Sequence, residues 1–218
     1  MNDELLAYLH QNFRPHPWHG IPVWSTEKPY INVYIEIVPS DTVKYELDKA
    51  SGYLSIDRPQ KFSNIIPFLY GFVPRTYCDH KIAEAAASKT TMTQVVGDHD
   101  PLDICVLTER PITHGDLLLK AKPIGGLLMI DRGEADDKII AVLKDDPIYG
   151  ELNDISEIPP KILARMKHYF LTYKDFPDDG ERKIKIPAIY GRQEALRVIE
   201  LASVDYLAAF PPKVLSKA

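Results

Sequence analysis

Gly97-Asp98-His99-Asp100-Pro101-Leu102-Asp103-Ile104-Cys105-Val106-Leu107 places three carboxylates within six residues and runs the last one straight into an apolar stretch. Pro101 bars a regular helix and has no N–H for a sheet ladder, so residues 98–101 are expected to turn. Residues 102–107 then read as a buried strand that carries Asp103 to an interior edge. Three ionised carboxylates so close repel each other, and burial would drive protons onto them. A hard divalent cation removes that conflict. Mg²⁺ takes oxygen ligands, keeps several waters and shares its shell readily with phosphates.

Two other readings compete. Most acidic turns are solvated surface, but an aspartate inside an apolar strand is costly unless something pairs with it. A calcium-binding helix–loop–helix would use Asp98, Asp100 and Glu109 as positions one, three and twelve. Its fifth position would be Leu102 and its sixth Asp103 instead of glycine, with a strand where a helix is needed, so it is rejected.

The motif Asp98-His99-Asp100-Pro101-Leu102-Asp103-Ile104 resembles the D-x-D-P-x-D-hydrophobic signature of family I soluble inorganic pyrophosphatases. The resemblance runs, with gaps, from about Tyr30 to about Ile199. It implies a five-stranded, closed, oligonucleotide-binding-type β-barrel with peripheral helices, within a mainly β, α+β fold. It also implies a reaction, pyrophosphate plus water giving two phosphates.

The totals agree with such an enzyme. The chain has 218 residues, 45% of them hydrophobic, and no Gly/Ser/Pro-rich linker divides it. It is therefore read as one domain over 1–218, with 1–29 as an N-terminal extension. Net charge is -5 and the pI about 5.8, which argues against a nucleic-acid binder with a basic face. Only Cys78 and Cys105 occur, which fits a reducing, cytoplasmic setting. The acidic, non-apolar start is not expected to be a signal peptide, and no apolar run reaches the ~20 residues of a membrane helix.

Along the chain, a short helix is expected over 3–11, then a Pro/Gly-rich loop, Pro15-His16-Pro17-Trp18-His19-Gly20. His16 and His19 find no third ligand nearby, so Trp18 packing on the body is the preferred reading. Residues 30–38 alternate, with Ile31, Val33, Ile35 and Ile37 on one face and Asn32, Tyr34 and Glu36 on the other. Strands over 43–47 and 53–57 complete an expected antiparallel meander. Residues 58–77 read as irregular. Residues 78–97 read as an exposed insertion with a helical turn near 82–87. Strand is expected over 117–122 and 124–130, bent at Pro123 and Gly125-Gly126. A second acidic turn, 131–138, enters an apolar strand over 139–143. A helix from Pro159-Pro160 to about 173, a strand over 182–186 and a helix over 193–209 finish the chain.

Most polar residues here would individually suit a solvated face. Jointly they resemble the pyrophosphatase pattern. By that resemblance Asp98, Asp103, Asp131 and Asp136 hold Mg²⁺, and Glu36 reaches a further ion. Asp100 is the base for the attacking water. Lys44, Glu46, Arg58, Tyr70, Lys138, Tyr173 and Lys174 bind substrate, the arginine through a bidentate grip. Two cations ~3.5–4 Å apart can acidify one water between them, and phosphoryl transfer needs positioning and charge neutralisation above all. Two positions depart from the pattern. Arg132 stands where many members carry an acid, and Ile66 where an aromatic residue commonly meets a phosphate. The stretches 1–29 and 78–97 lack counterparts in the shorter bacterial members. A homo-oligomer, hexamer or dimer, is also implied.

Two alternatives have distinct signatures. A nucleotide phosphohydrolase would need a Gly-rich phosphate loop or a base-stacking motif, and neither occurs. A single-strand nucleic-acid barrel conflicts with the negative charge and the clustered acids. Phosphate release from pyrophosphate is therefore expected to require Mg²⁺, to be poorly supported by Ca²⁺, and to vanish in EDTA. Full activity in EDTA would sink the cation-dependent reading.

Overall fold

A computed structural model describes residues 8, 11–61, 63–92, 94–174 and 183–212. The helix expected over 3–11 lies largely outside these. The first five strands are β1 (Ile31–Ile37), β2 (Val43–Leu47), β3 (Leu54–Pro59), β4 (Leu69–Phe72) and β5 (Val96–Gly97). The others are β6 (Asp103–Leu107), β7 (Leu117–Asp131), β8 (Glu134–Ala135), β9 (Lys138–Leu143) and β10 (Ile184–Gly191). Helices α1 (His80–Ala87), α2 (Pro160–Thr172) and α3 (Arg192–Ala209) accompany them among the described residues. The fold is mainly β, a large mixed sheet with helices around it.

Strand β1 pairs antiparallel with both β4 and β7; β4 pairs with β6, β6 runs parallel to β9, and β9 pairs antiparallel with β7. β10 lies along the far half of β7. The long β7 is bent by a register shift between Pro123 and Gly125, the kink that its proline and glycines predict. β2 and β3 pair only with each other. The expected meander is thus corrected: β1 has both its edges taken by strands far along the chain.

Both faces of the sheet are covered. Ile104, Val106, Ile139 and Ala141 pack with Ile82, Ile199 and Ala202. Their neighbours Cys105, Leu107, Ile140 and Val142 pack with Met166, Tyr169 and Phe170 of α2. Burial on both sides is why β6 and β9 read as continuous apolar runs rather than alternating ones. It also corrects the half-solvated reading of β1, because Tyr34 and Glu36 are buried.

Two further expectations change. Residues 69–72 form a strand, not an irregular segment. Gly71 is required there, since a Cβ would stand 1.9 Å from the Tyr34 carbonyl oxygen on β1. Residues 78–97 are exposed only in part. Cys78, Ile82, Ala83, Ala86 and Gly97 are buried. The buried Asp205 of α3 caps α1 across the chain, accepting from the backbone N–H groups of Asp79 (3.1 Å), Lys81 (3.0 Å) and Ile82 (3.2 Å). These are the orphan donors of a helix start, and Asp79's own side chain does not satisfy them. Asp205→Ala is expected to lower stability by about 2–3 kcal/mol and Asp205→Asn by about half as much, measured by urea unfolding.

Candidate active site

The acidic turn is held by backbone contacts that the motif itself does not contain. The Cys78 N–H donates to the Asp100 carbonyl at 2.9 Å, and the His99 N–H to the Cys78 carbonyl at 3.1 Å. Buried Thr76 accepts the Leu102 N–H at 2.9 Å while its hydroxyl donates to the Val73 carbonyl at 2.6 Å. The Asp98 carboxylate accepts the Asp100 N–H at 3.0 Å, closing the turn. Asp103 then opens β6.

Strand registers deliver its neighbours. Lys138 opens β9 directly beside Asp103, and Phe72 of β4 lies on the other side, with Tyr70 two residues back. Lys138 is 1% exposed, and its ammonium donates to Asp103 Oδ2 at 2.5 Å and to the Asp136 carboxylate. The Tyr70 hydroxyl donates to the same Asp103 oxygen at 2.5 Å. Lys174, just past α2, donates to Asp131 Oδ2 at 2.5 Å. Tyr173 stacks on Tyr169 with 5.2 Å between centroids. The β2–β3 hairpin brings Lys44, which pairs with Glu46 at 2.6 Å and Asp57 at 2.8 Å, and Arg58, which pairs with Asp57 at 2.5 Å.

These side chains line one polar cavity of about 200 Å³. It takes in Lys44, Arg58, Tyr70, Asp98, Asp100, Asp103, Asp131, Asp136, Lys138, Tyr173 and Lys174. Of the residues expected from the sequence, Glu36 and Glu46 alone lie outside its wall. They line an adjoining recess that shares Lys44, Tyr70, Asp100 and Asp103 with it. Ile66 and Phe170 supply apolar wall. Sequence reasoning passed over Glu134 and Gln60, which line the cavity, and Asp57, which bridges Lys44 and Arg58. Glu134 and Asp57 were legible as charges beside named residues; Thr76 left no signal.

Burial governs the electrostatics. The Asp98 carboxyl is pushed up to about 9, by desolvation first and then by the charges of Asp136 and Asp103. Asp136 rises by desolvation only to about 6, because Lys138 opposes it. Glu36 rises to about 8 through burial, although it accepts the Leu47 N–H at 2.7 Å. Burial works against the Lys138 charge, yet Asp103 and Asp136 outweigh it and hold the ammonium well above its ordinary range.

The donor set suits hard cations: all-oxygen, anionic and crowded into one low-dielectric space. Asp131 Oδ1 is buried without a hydrogen-bond partner, with Arg132 Nε 4.0 Å away. Among the described residues, no three acidic, imidazole or thiol side chains converge tightly enough to hold an ion as they stand. Asp103, Asp131 and Asp136 are paired with lysines instead. Holding cations therefore requires these carboxylates to turn from their lysine partners.

A family model for inorganic pyrophosphatase matches residues 33–207. The chain belongs to the inorganic pyrophosphatase family. It is 54% identical over 199 residues to an inorganic pyrophosphatase of Chlamydia caviae, covering 89% of this chain and 92% of that one. A soluble inorganic pyrophosphatase of Zea mays is 40% identical over 211 residues, covering 96% of this chain and 88% of the relative. The crystal structure of the Thermus thermophilus inorganic pyrophosphatase superposes with a TM-score of 0.72 at 25% identity, covering 88% of this chain and 99% of that one. Inorganic pyrophosphatases of this family generally use divalent metal.

A pH signature follows from the raised carboxyls. Groups whose folded-state pKa lies above the ordinary carboxylate range favour the folded state in acid, and that contribution is lost as pH climbs through the raised values. With Asp136 at about 6, Glu36 at about 8 and Asp98 at about 9, the loss starts in the ordinary carboxylate range at ~4 and is complete only above about 9. In EDTA the urea midpoint is expected to fall steadily from pH 5 to pH 9, and added Mg²⁺ to flatten that fall. A midpoint independent of pH in EDTA would show that these carboxyls are not raised.

Proposed function

We propose that this cavity hydrolyses inorganic pyrophosphate to two orthophosphates, with Asp100 as the base and the surrounding cations of the chain as the grip. The observation that carries the reading is the joint lining of one small cavity by acids and by Lys44, Arg58, Lys138 and Lys174. Such a mixture has little use for a neutral ligand and suits a compact polyanion that arrives with cations. Membership of the pyrophosphatase family supports the same reaction.

The roles divide by environment. Asp98, Asp103, Asp131 and Asp136 are assigned as ligands for Mg²⁺, and Glu36 for a further ion. When bound, Mg²⁺ neutralises pyrophosphate charge and lowers the pKa of water. Asp100 is half-exposed at the cavity rim, where it can take the proton of the attacking water. The water oxygen bonds to one phosphorus, the bridging P–O bond breaks, and the second phosphate leaves with the bridging oxygen. Arg58, Lys44, Lys138 and Lys174 bind phosphate oxygens, with hydroxyl donors from Tyr70 and Tyr173. Glu46 orients Lys44, to which it is bonded at 2.6 Å.

In the finer reading of the fold, the ring of pairings β1–β4–β6–β9–β7–β1 is a five-stranded, closed, OB-like barrel. The chain is one domain over 1–218, with 1–29 as an extension and 78–97 as an insertion. A homo-oligomer, hexamer or dimer, belongs to the same reading and rests on the family resemblance. The setting is cytoplasmic, with pyrophosphate as the partner and neither nucleic acid nor membrane. Among the described residues no helix is long and apolar enough to cross a membrane.

The assigned division of labour predicts two different failures. Asn keeps the size of Asp and loses its charge and basicity. Asp103→Asn should weaken Mg²⁺ binding, with activity partly restored by added metal. Asp100→Asn should bind Mg²⁺ and pyrophosphate nearly normally and turn over roughly 10²–10⁴-fold more slowly. Phosphate release across a Mg²⁺ titration distinguishes them. Rescue of Asp100→Asn by excess Mg²⁺, and not of Asp103→Asn, would reverse the assignments.

A further inference from the structure

Lys49 has no part in the roles above, yet it contacts the proposed base. Its ammonium donates to Asp100 Oδ1, and Glu46 Oε1 stands 3.9 Å from the same nitrogen. Among the described residues no other side chain bonds the Asp100 carboxylate. Asp100 is otherwise tied only through its backbone, to Asp98 and Cys78. With 45% of its side chain exposed, it would be free to turn without Lys49.

Lys49 sits on a turn built to hold it. The Asp48 carboxylate accepts the Ser51 N–H at 2.7 Å, and the Gly52 N–H donates to the Asp48 carbonyl at 2.8 Å. Gly52 has φ +74°, a conformation that side chains resist. The loop 15–20 then clamps this turn from outside. The His16 ring lies against Gly52, so a Cβ there would come within 2.9 Å of it, and His16 Nε2 is 3.2 Å from the Lys49 carbonyl oxygen. The ring's other nitrogen, Nδ1, accepts the Trp18 and His19 N–H groups at 3.2 and 3.3 Å. That leaves Nε2 protonated and able to donate to Lys49. The loop is itself anchored, since Trp18 is 3% exposed and its indole N–H donates to the Thr76 carbonyl at 2.8 Å. Thr76 is the residue that also pins Leu102 in the acidic turn.

We propose that Lys49 is a positioning residue that holds the Asp100 carboxylate in its working orientation, and that His16 of the N-terminal loop holds Lys49. The inference rests on the reading of Asp100 as the base. Lys49 does not line the main cavity, whereas Lys44, Arg58, Lys138 and Lys174 do. It lines only the adjoining recess, where its bonded partner is Asp100, so its assigned action is through Asp100 rather than on substrate. An ion pair that fixes one rotamer matters because small misplacements of a reacting group are expensive in rate.

The test is steady-state hydrolysis of Mg²⁺-pyrophosphate by single and double variants, with folding checked by urea midpoint. Lys49→Met is expected to lower kcat by about 10–100-fold while KM stays within about twofold. Lys49→Arg, which keeps the cation, should recover most of the loss. His16→Ala should lower kcat by about 3–10-fold, and not at all when Lys49 is already Met. In an Asp100→Asn background, Lys49→Met should add little. A raised KM with unchanged kcat would make Lys49 a substrate contact and overturn the proposal. So would an Asp100→Asn enzyme that is slow and is slowed again by the full factor on adding Lys49→Met; this leaves the base assignment standing. A near-normal rate in Asp100→Asn alone would instead overturn the base assignment, and with it the partner through which Lys49 acts. An unchanged kcat in His16→Ala would overturn the role of the loop.

Discussion

Carboxylates brought together in a desolvated cavity must be neutralised, and much of the local architecture follows from that requirement. Asp98, Asp103, Asp131 and Asp136 cannot all be charged side by side without cations or protons close at hand. The fold meets the demand by register. Parallel pairing of β6 with β9 sets Lys138 beside Asp103, and Asp136, two residues before Lys138, comes with it. The end of α2 adds Lys174 opposite Asp131. A one-residue slip of β9 would turn Lys138 to the opposite face and leave Asp103 with the Tyr70 hydroxyl alone. Buried lysine is tolerable here because two carboxylates repay its desolvation.

The same constraint explains why loops far from the motif are so firmly held. An acidic turn with no fixed frame would relieve its repulsion by moving into solvent. Thr76 through its hydroxyl and Cys78 through its backbone prevent this, and the segment 76–78 is in turn fixed by Trp18 and by α3. The Tyr77 N–H donates to the Ala202 carbonyl at 2.9 Å, so the C-terminal helix reaches the frame of the turn directly. Asp205, one helical turn further on, caps α1 and ties the segment after Cys78 to the same helix.

What could be read in advance follows the range of the forces involved. Local features were legible: the turn at Pro101, the kink in β7, the proline start of α2, and acids preceding apolar strands. Strand existence was legible where apolar runs were long; 69–72 was lost because it is short, carries Gly71 and lies between Pro67 and Pro74. Pairing was not legible, because alternation says which face is buried and nothing about which strand lies alongside. That is why β1 was joined to β2 in expectation while β4 and β7 hold it in fact. The site residues came from the family resemblance, since Glu36, Lys44 and Glu46 alone would pass for a solvated strand face. Their supporting partners Lys49, Asp57 and Thr76 were missed for a complementary reason: each gains meaning only from a neighbour in space.

The pairings also bear on how the site would load. Lys138 and Lys174, assigned here to phosphate, are bonded to Asp103, Asp136 and Asp131, assigned here to cations. One set of carboxylates and one set of lysines thus satisfy each other, and each group has a stronger claimant of its own. Cations drawn to the carboxylates release lysine ammonium groups for phosphate. Phosphate drawn to the lysines releases carboxylate oxygens for cations. By linkage the effect is reciprocal, so each should bind more tightly in the presence of the other. Substrate arriving as a cation complex satisfies both sets in one event, and a bare polyanion or a bare cation satisfies only one. The ion pairs inside the cavity would then serve as a charge-balanced store, keeping acids and bases buried together until a ligand of both signs exchanges with them.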